Sequence, residues 1–208
     1  MPQTKALQLP FTGSWFCFWG GDSKELNNHH GNITENYALD LLIMDKNGAT
    51  HRGDGSKNTD YYAYSQDIVA VAAGIVVQAV DGIVENEPQK TSNTHMFSGN
   101  SVIIKHGQEV FAVYAHLKTS SVKVKIGDRV KAGQVIGQCG NSGNSTEPHL
   151  HFDLRDSLPI SRINKDYTKT VTAKSIKPYF EVKVTRDSQS REDSHYSPIK
   201  GDTLSPLG

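Results

Sequence analysis

Cysteine is scarce: the 208 residues hold only Cys17 and Cys139, too few for a disulfide framework and unable by themselves to supply a thiolate metal site. They are expected as two buried thiols acting as small hydrophobes, with a single bridge between them as the alternative. Net charge is missing as well, since 22 Lys and Arg balance 22 Asp and Glu. That balance excludes the strongly basic footprint of a nucleic-acid or anionic-membrane binder. Residues 1–99 carry 6 basic and 11 acidic groups and residues 100–135 carry 6 and 2, a modest dipole and not a polybasic arm. No stretch approaches the roughly 18 consecutive apolar residues of a membrane helix, so no integral membrane segment is expected. The start, MPQTKALQLP, has neither the charged n-region nor the apolar h-region of a signal peptide. The expectation is a soluble chain without an export signal, or one that begins at a mature end.

Helical periodicity is also lacking, and no repeat of solenoid or propeller length is visible. What is present is a series of short blocks rich in Val and Ile: Ile68–Val80, Ser101–Lys105, Val110–Ala115, Ser121–Ile126, Val135–Gln138 and His149–Leu154. Glycines punctuate them, so the pattern predicts many short strands joined by tight turns. The chain is expected to be mostly β, a sandwich or a partly open barrel-like sheet. The polar stretches Asp45–Ser65 and Glu85–Gly99 read as long surface loops of the kind that flank binding sites. Residues 1–185 are expected to form a single domain, and 186–208, with Ser, Asp, Pro and Gly throughout, a flexible tail.

The densest chemical signal is His149-Leu150-His151. On a strand, residues i and i+2 project to one face, so the two imidazoles share a site while Leu150 and Phe152 point the other way. Alone, this pattern fits either a metal site or two histidines on a polar strand face. Asp40 adjoins the apolar run Leu41–Met44, where a charge needs a partner. It is either a strand-end aspartate or a hard oxygen ligand completing a His/His/Asp zinc set. His116, in Tyr114-Ala-His-Leu117, ends an alternating strand. His51, His95, His106 and His195 lack partners at ligand spacing and are expected at the surface. The cluster Trp15-Phe-Cys-Phe-Trp19 is expected in the core or at a sheet edge, in preference to a glycan-stacking platform.

Taken together, the early His…Ala38-Leu-Asp40 segment, Tyr114-Ala-His-Leu117 and Gly140-Asn-Ser-Gly…Pro148-His-Leu-His-Phe152 resemble the lysostaphin-type, LytM-like zinc metallopeptidases. The spacer Ser121–Gly137 also fits that family's Val-x-x-Gly-Asp-x-Val-x-x-Gly-Gln-x-Ile-Gly stretch, and the resemblance covers about residues 14–155. It implies a duplicated β-strand, barrel-sandwich-hybrid-like architecture with a central antiparallel sheet and an open groove. It also implies one Zn2+ per chain held by the first-motif His, Asp40 and His151, with His116 and His149 as the catalytic pair. Gly20-Gly21, Asn27, His29 and Asp40 reproduce the layout of the family's first motif, which selects His29, with His30 as the alternative. The chain departs from the more familiar form, in which the first His and the Asp lie four positions apart, so a loop must carry the first ligand.

The activity implied is zinc-dependent endopeptidase action on peptide cross-links or stem peptides of bacterial peptidoglycan, in the cell envelope or outside the cell. A non-catalytic relative that binds peptidoglycan or activates a wall hydrolase is the alternative. It is disfavoured because every ligand and catalytic position holds a suitable residue. A phosphotransferase-like carrier of the same architecture leaves the early His and Asp40 without a purpose.

Overall fold

The structure is a computed structural model that describes residues 6–107, 109–158, 161–163, 169–171 and 173–208. Met1–Lys5, where the leader question falls, lie outside the described residues. Among the described residues the only helix is a 3-10 turn at Asn58–Asp60, and no helix is long and apolar enough to cross a membrane.

The strands are β1 (Trp15–Trp19), β2 (Leu39–Leu42), β3 (Asp67–Val69), β4 (Gly74–Val80), β5 (Asn100–His106), β6 (Val110–Leu117), β7 (Arg129–Val130) and β8 (Val135–Gln138). They continue with β9 (Leu150–Arg155), β10 (Ser161–Ile163), β11 (Lys169–Val171), β12 (Ser175–Ile176), β13 (Phe180–Arg186), β14 (Gln189–Tyr196) and β15 (Thr203–Ser205). One antiparallel sheet runs β14-β13-β15-β1-β2-β9-β6-β5-β4-β7, with β12 joining β9 beyond the end of β2. Its two edges, β14 and β7, do not meet, so the sheet stays open. β3 pairs with β8 and β10 with β11 in two small ladders.

The core lies between the main sheet, the β3–β8 ladder and the N-terminal segment. It joins Leu150, Phe152 and Leu154 of β9 with Leu39, Leu41, Tyr114, Ile68, Ile136, Phe11 and Trp15. The period-2 alternation of β9 sends those three apolar residues to the core and leaves His151, Asp153 and Arg155 on the opposite face. Both cysteines are buried and free, which settles their pairing against a bridge.

Three expectations are corrected. Residues 186–208 are not a loose tail: Arg186 closes β13, β14 pairs back along it, and β15 inserts between β13 and β1. Leu204 and Asp202 are fully buried there, and the Asp202 carboxylate accepts hydrogen bonds from Arg186 Nε at 2.9 Å and Tyr196 Oη at 2.9 Å. Ser121–Ile126 forms no strand. Its alternation buries Val124, but the backbone is held by single bonds, Val122 N to Asp81 Oδ2 and Lys123 N to Ile136 O. His106 is buried and not at the surface, with Nδ1 2.9 Å from the Ala73 carbonyl oxygen. Burial disfavours its charged form and lowers its pKa.

Candidate metal centre

The site is built on three adjacent strands. Asp40 of β2 pairs in register with His151 of β9, which pairs on its other side with Ala115 of β6. A carboxylate and an imidazole are thereby fixed side by side on the face away from the core. His116 follows on β6, but regular alternation would turn it inward with Tyr114. A bulge prevents this, because the step from Asn100 to Val102 on β5 faces the longer step from Tyr114 to Leu117 on β6. His116 takes up the extra length with φ of 60°, and its ring is re-aimed to the polar face.

His29 comes from a turn-rich loop without strands that spans residues 20–38. Asn27 organises it from a fully buried position. Its Nδ2 donates to the carbonyls of Gly21 (3.1 Å) and Ala38 (3.0 Å), and its Oδ1 accepts the His29 N–H (3.1 Å). This brings His29 Nε2 within 3.0 Å of Asp40 Oδ2, although the two residues are eleven positions apart. His30 does not reach Asp40: its Nδ1 is buried without a partner.

All five residues singled out from the sequence converge. His151 Nδ1 lies 3.0 Å from Asp40 Oδ1, and His149 Nε2 lies 3.8 Å from the same oxygen. The rings of His116 and His149 are 4.8 Å apart, and those of His29 and His151 also 4.8 Å. His116 Nδ1 sits 2.8 Å from the Ser142 carbonyl oxygen and His149 Nδ1 2.8 Å from that of Glu147. A carbonyl oxygen can only accept, so Nδ1 of each ring is the donor there, and Nε2 is the nitrogen that each neutral imidazole presents to the site.

Burial works against charge on Asp40, yet hydrogen bonds from His151 and His29 outweigh it and hold the carboxyl well below its ordinary range. Burial likewise opposes charge on His151, but its bonds to Asp153 and Asp40 win and push it up to about 10. His116 is driven the other way, well below the ordinary histidine value, first by burial and then by its imidazole neighbours.

One ligand atom each from His29, Asp40 and His151 fall within 4.8 Å of one another. Two imidazole nitrogens and a carboxylate oxygen are a donor set that suits zinc and leaves a coordination position open. Glu35, His151 and Asp153 form a second close group. There, however, a cation is already in place, since Arg155 donates to Asp153 at 2.7 Å and to Glu35 at 3.2 Å.

The centre floors a groove of about 280 Å3 whose walls include Phe18, Trp19 and Leu42 on the β1–β2 side and Phe97 on the other. Phe18 is 36% and Phe97 52% exposed. The Trp15–Trp19 cluster is therefore divided: Trp15 and Cys17 are core, alternation puts Phe18 on the groove face, and an irregularity between Cys17 and Trp19 turns Trp19 there as well. The Asn141–Ser145 loop is pinned by Asn86, whose Nδ2 donates to the carbonyls of Gly143 and Ser145, both at 2.8 Å.

Asn86, Glu35, Asp153 and Arg155 were not among the residues singled out from sequence. The last two continue the alternation that starts at His149 and could have been read from it; Asn86 and Glu35 carry no local signal.

Comparison with known proteins finds a match to Peptidase family M23 over residues 55–166, just over half of the chain. The matched span contains His116, His149 and His151 and begins after His29 and Asp40. Among curated relatives, the peptidoglycan DD-endopeptidase ShyC of Vibrio cholerae is 40% identical over 88 residues, 42% of this chain and 19% of that protein. The glycyl-glycine endopeptidase ALE-1 of Staphylococcus capitis is 64% identical over 39 residues, 19% of this chain and 10% of that protein. The similarity thus spans about a fifth or less of these relatives' length. Among solved structures, the catalytic domain of lysostaphin from Staphylococcus simulans is 20% identical with a TM-score of 0.40, covering 77% of this chain and 88% of that one.

Proposed function

The chain belongs to peptidase family M23, and from that premise we propose that it is a zinc-dependent endopeptidase that hydrolyses peptide bonds of bacterial peptidoglycan in the cell envelope. The observation that carries this reading is the convergence of His29, Asp40 and His151 on one point, with Nε2 of His116 and His149 facing the same groove. The names of the relatives support the choice of substrate.

In this reading His29 Nε2, a carboxylate oxygen of Asp40 and His151 Nδ1 would hold one zinc ion. When bound there it would supply Lewis acidity toward a carbonyl oxygen and a lowered pKa, toward ~7, for water. His116 and His149 manage the protons. With Nδ1 of each ring anchored on a backbone carbonyl, Nε2 takes a proton from the nucleophilic water or returns one to the departing amine nitrogen without the ring moving. Phe18, Trp19 and Phe97 narrow the groove, align an extended peptide over these nitrogens and exclude bulk water.

The test is mass spectrometry of purified peptidoglycan incubated with the protein, with a chelator, and with zinc restored. Loss of cross-linked fragments that the chelator stops and zinc restores is the expected result. Intact cross-links in the presence of zinc-loaded protein would overturn the activity and favour a binding role.

A further inference from the structure

The longest buried chain of charged contacts in the described residues starts behind His151. Along β9, His151, Asp153 and Arg155 occupy one face, and their exposures are 5%, 0% and 8%. His151 directs Nδ1 to Asp40, and its other nitrogen, Nε2, donates to Asp153 Oδ2 at 3.3 Å. Asp153 is gripped in turn by the fork of Arg155, with Nε to Oδ1 at 2.7 Å and Nη2 to Oδ2 at 2.8 Å. The same Nη2 reaches Glu35 Oε1 at 3.2 Å. Glu35 belongs to the long loop that presents His29, and its second oxygen accepts Asn32 Nδ2 at 2.9 Å within that loop.

We propose that Arg155 is a positioning residue for the metal ligands: through Asp153 it fixes His151, and through Glu35 it fastens the loop that carries His29. The proposal rests on the zinc reading above and adds how this chain spans the eleven positions between His29 and Asp40. A ligand on a flexible loop loses affinity through the entropy of holding it in place. Ser175 of β12 also ties that loop down, bonding Ile33 and Tyr37 through its N–H and hydroxyl, but this tie does not reach His151. The Arg155 contacts join the supports of both histidine ligands. Net stability is a poor explanation for the arrangement, because buried ion pairs often contribute little relative to apolar packing of the same volume. Orientation of a ligand is a better one, because a metal-binding imidazole gains a fixed tautomer and greater basicity when its far N–H meets a carboxylate.

The test uses the full chain and reads zinc affinity by competition with a chromophoric chelator, together with the visible absorption of the cobalt(II)-substituted protein. Asp153→Ala and Arg155→Met should weaken zinc binding about 10- to 100-fold, and Asp153→Asn, which keeps an acceptor oxygen, should recover part of the loss. Glu35→Ala, which removes the acceptor of Arg155 Nη2 and frees only the His29 loop, should weaken binding by a smaller factor and still alter the cobalt spectrum. Arg155→Lys should not rescue, since a single ammonium cannot serve both carboxylates in the geometry of a fork. Glu35→Ala keeps the experiment decisive if Arg155→Met does not fold. Wild-type affinity and an unchanged cobalt spectrum in Glu35→Ala and Asp153→Ala would overturn the proposal alone. Failure of the unaltered protein to bind zinc would overturn the functional reading and this inference together.

Discussion

Replacing Gly143 by alanine tests how closely the loop beside the centre is fitted to the histidines. Gly143 has φ of 77°, and a Cβ placed on it would lie 2.4 Å from Gly99 N, 2.7 Å from Gly99 Cα and 2.7 Å from Met96 O. All three are backbone atoms, so no side chain can swing aside. The left-handed conformation costs about 1–2 kcal/mol for a non-glycine residue, and forcing an extra carbon into a packed site adds about 1–3 kcal/mol. At about 2–4 °C per kcal/mol for a chain of this size, the melting temperature should fall by about 5–15 °C. The two strands of chain that must part are those that hold His116: its Nδ1 bonds Ser142 O at 2.8 Å and its N–H bonds Ser98 O at 3.0 Å. A displacement near 1 Å costs on the order of 100-fold in turnover. Gly133→Ala is the control, because φ there is 76° but the nearest atom is Gln8 Oε1 at 3.6 Å. It should lose only about 1–2 kcal/mol and leave cleavage unchanged. Equal effects of the two substitutions on melting and on peptide cleavage would refute the reasoning.

His106 should make stability fall in mild acid. Its folded pKa is depressed by burial, so the unfolded chain binds the proton first as pH drops through ~6.5, and stability is lost from there downward by at most about 1.4 kcal/mol per pH unit. Denaturant titrations of zinc-loaded wild type and His106→Gln from pH 7.5 to 5 should converge as pH falls, and a constant gap would count against it. Asp202→Ala should cost about 2–3 kcal/mol, below the ~3–5 of a fully buried pair, because Arg186 can turn to water; its side chain is 38% exposed. Chemical denaturation measures this, and a neutral result would mean that the Asp202 contacts do not hold residues 186–208 to the sheet. His149→Ala should keep zinc while turnover collapses, whereas His151→Ala should lose both, as metal analysis and cleavage assays on the same samples would show. Equal zinc loss in the two variants would contradict the division of roles.

Part of the centre's geometry was legible in the sequence because its logic is local, whereas the roles of its residues, and the choice of His29, came only from the resemblance to the lysostaphin-type family. The His149-Leu150-His151 alternation puts both rings on one face of a strand, and the apolar run beginning at Leu41 places Asp40 on another. Sheet register then sets Asp40 opposite His151. The orientation of His116 was not legible, since alternation alone sends it toward Tyr114 and the core. Its exposure to the groove depends on a bulge created by pairing with β5, a long-range event. The same holds for Trp19, redirected by an irregularity against β2, whereas Phe18 follows the alternation set by Trp15 and Cys17. Residues 186–208 looked too polar to fold because a hairpin at a sheet edge needs few apolar groups. Phe180, Val182 and Val184 of β13 and Leu204 of β15 suffice, and β14 is left almost wholly exposed. Glu35 gains its meaning only from Arg155, 120 positions away.

Anomalous diffraction at the zinc edge from crystals of the zinc-loaded protein tests the central claim most directly. The account predicts one peak per chain, bonded to His29 Nε2, an Asp40 carboxylate oxygen and His151 Nδ1, with Nε2 of His116 and His149 facing the remaining side. A peak on His30, a peak between Glu35 and Asp153, or no peak in zinc-saturated protein would contradict it.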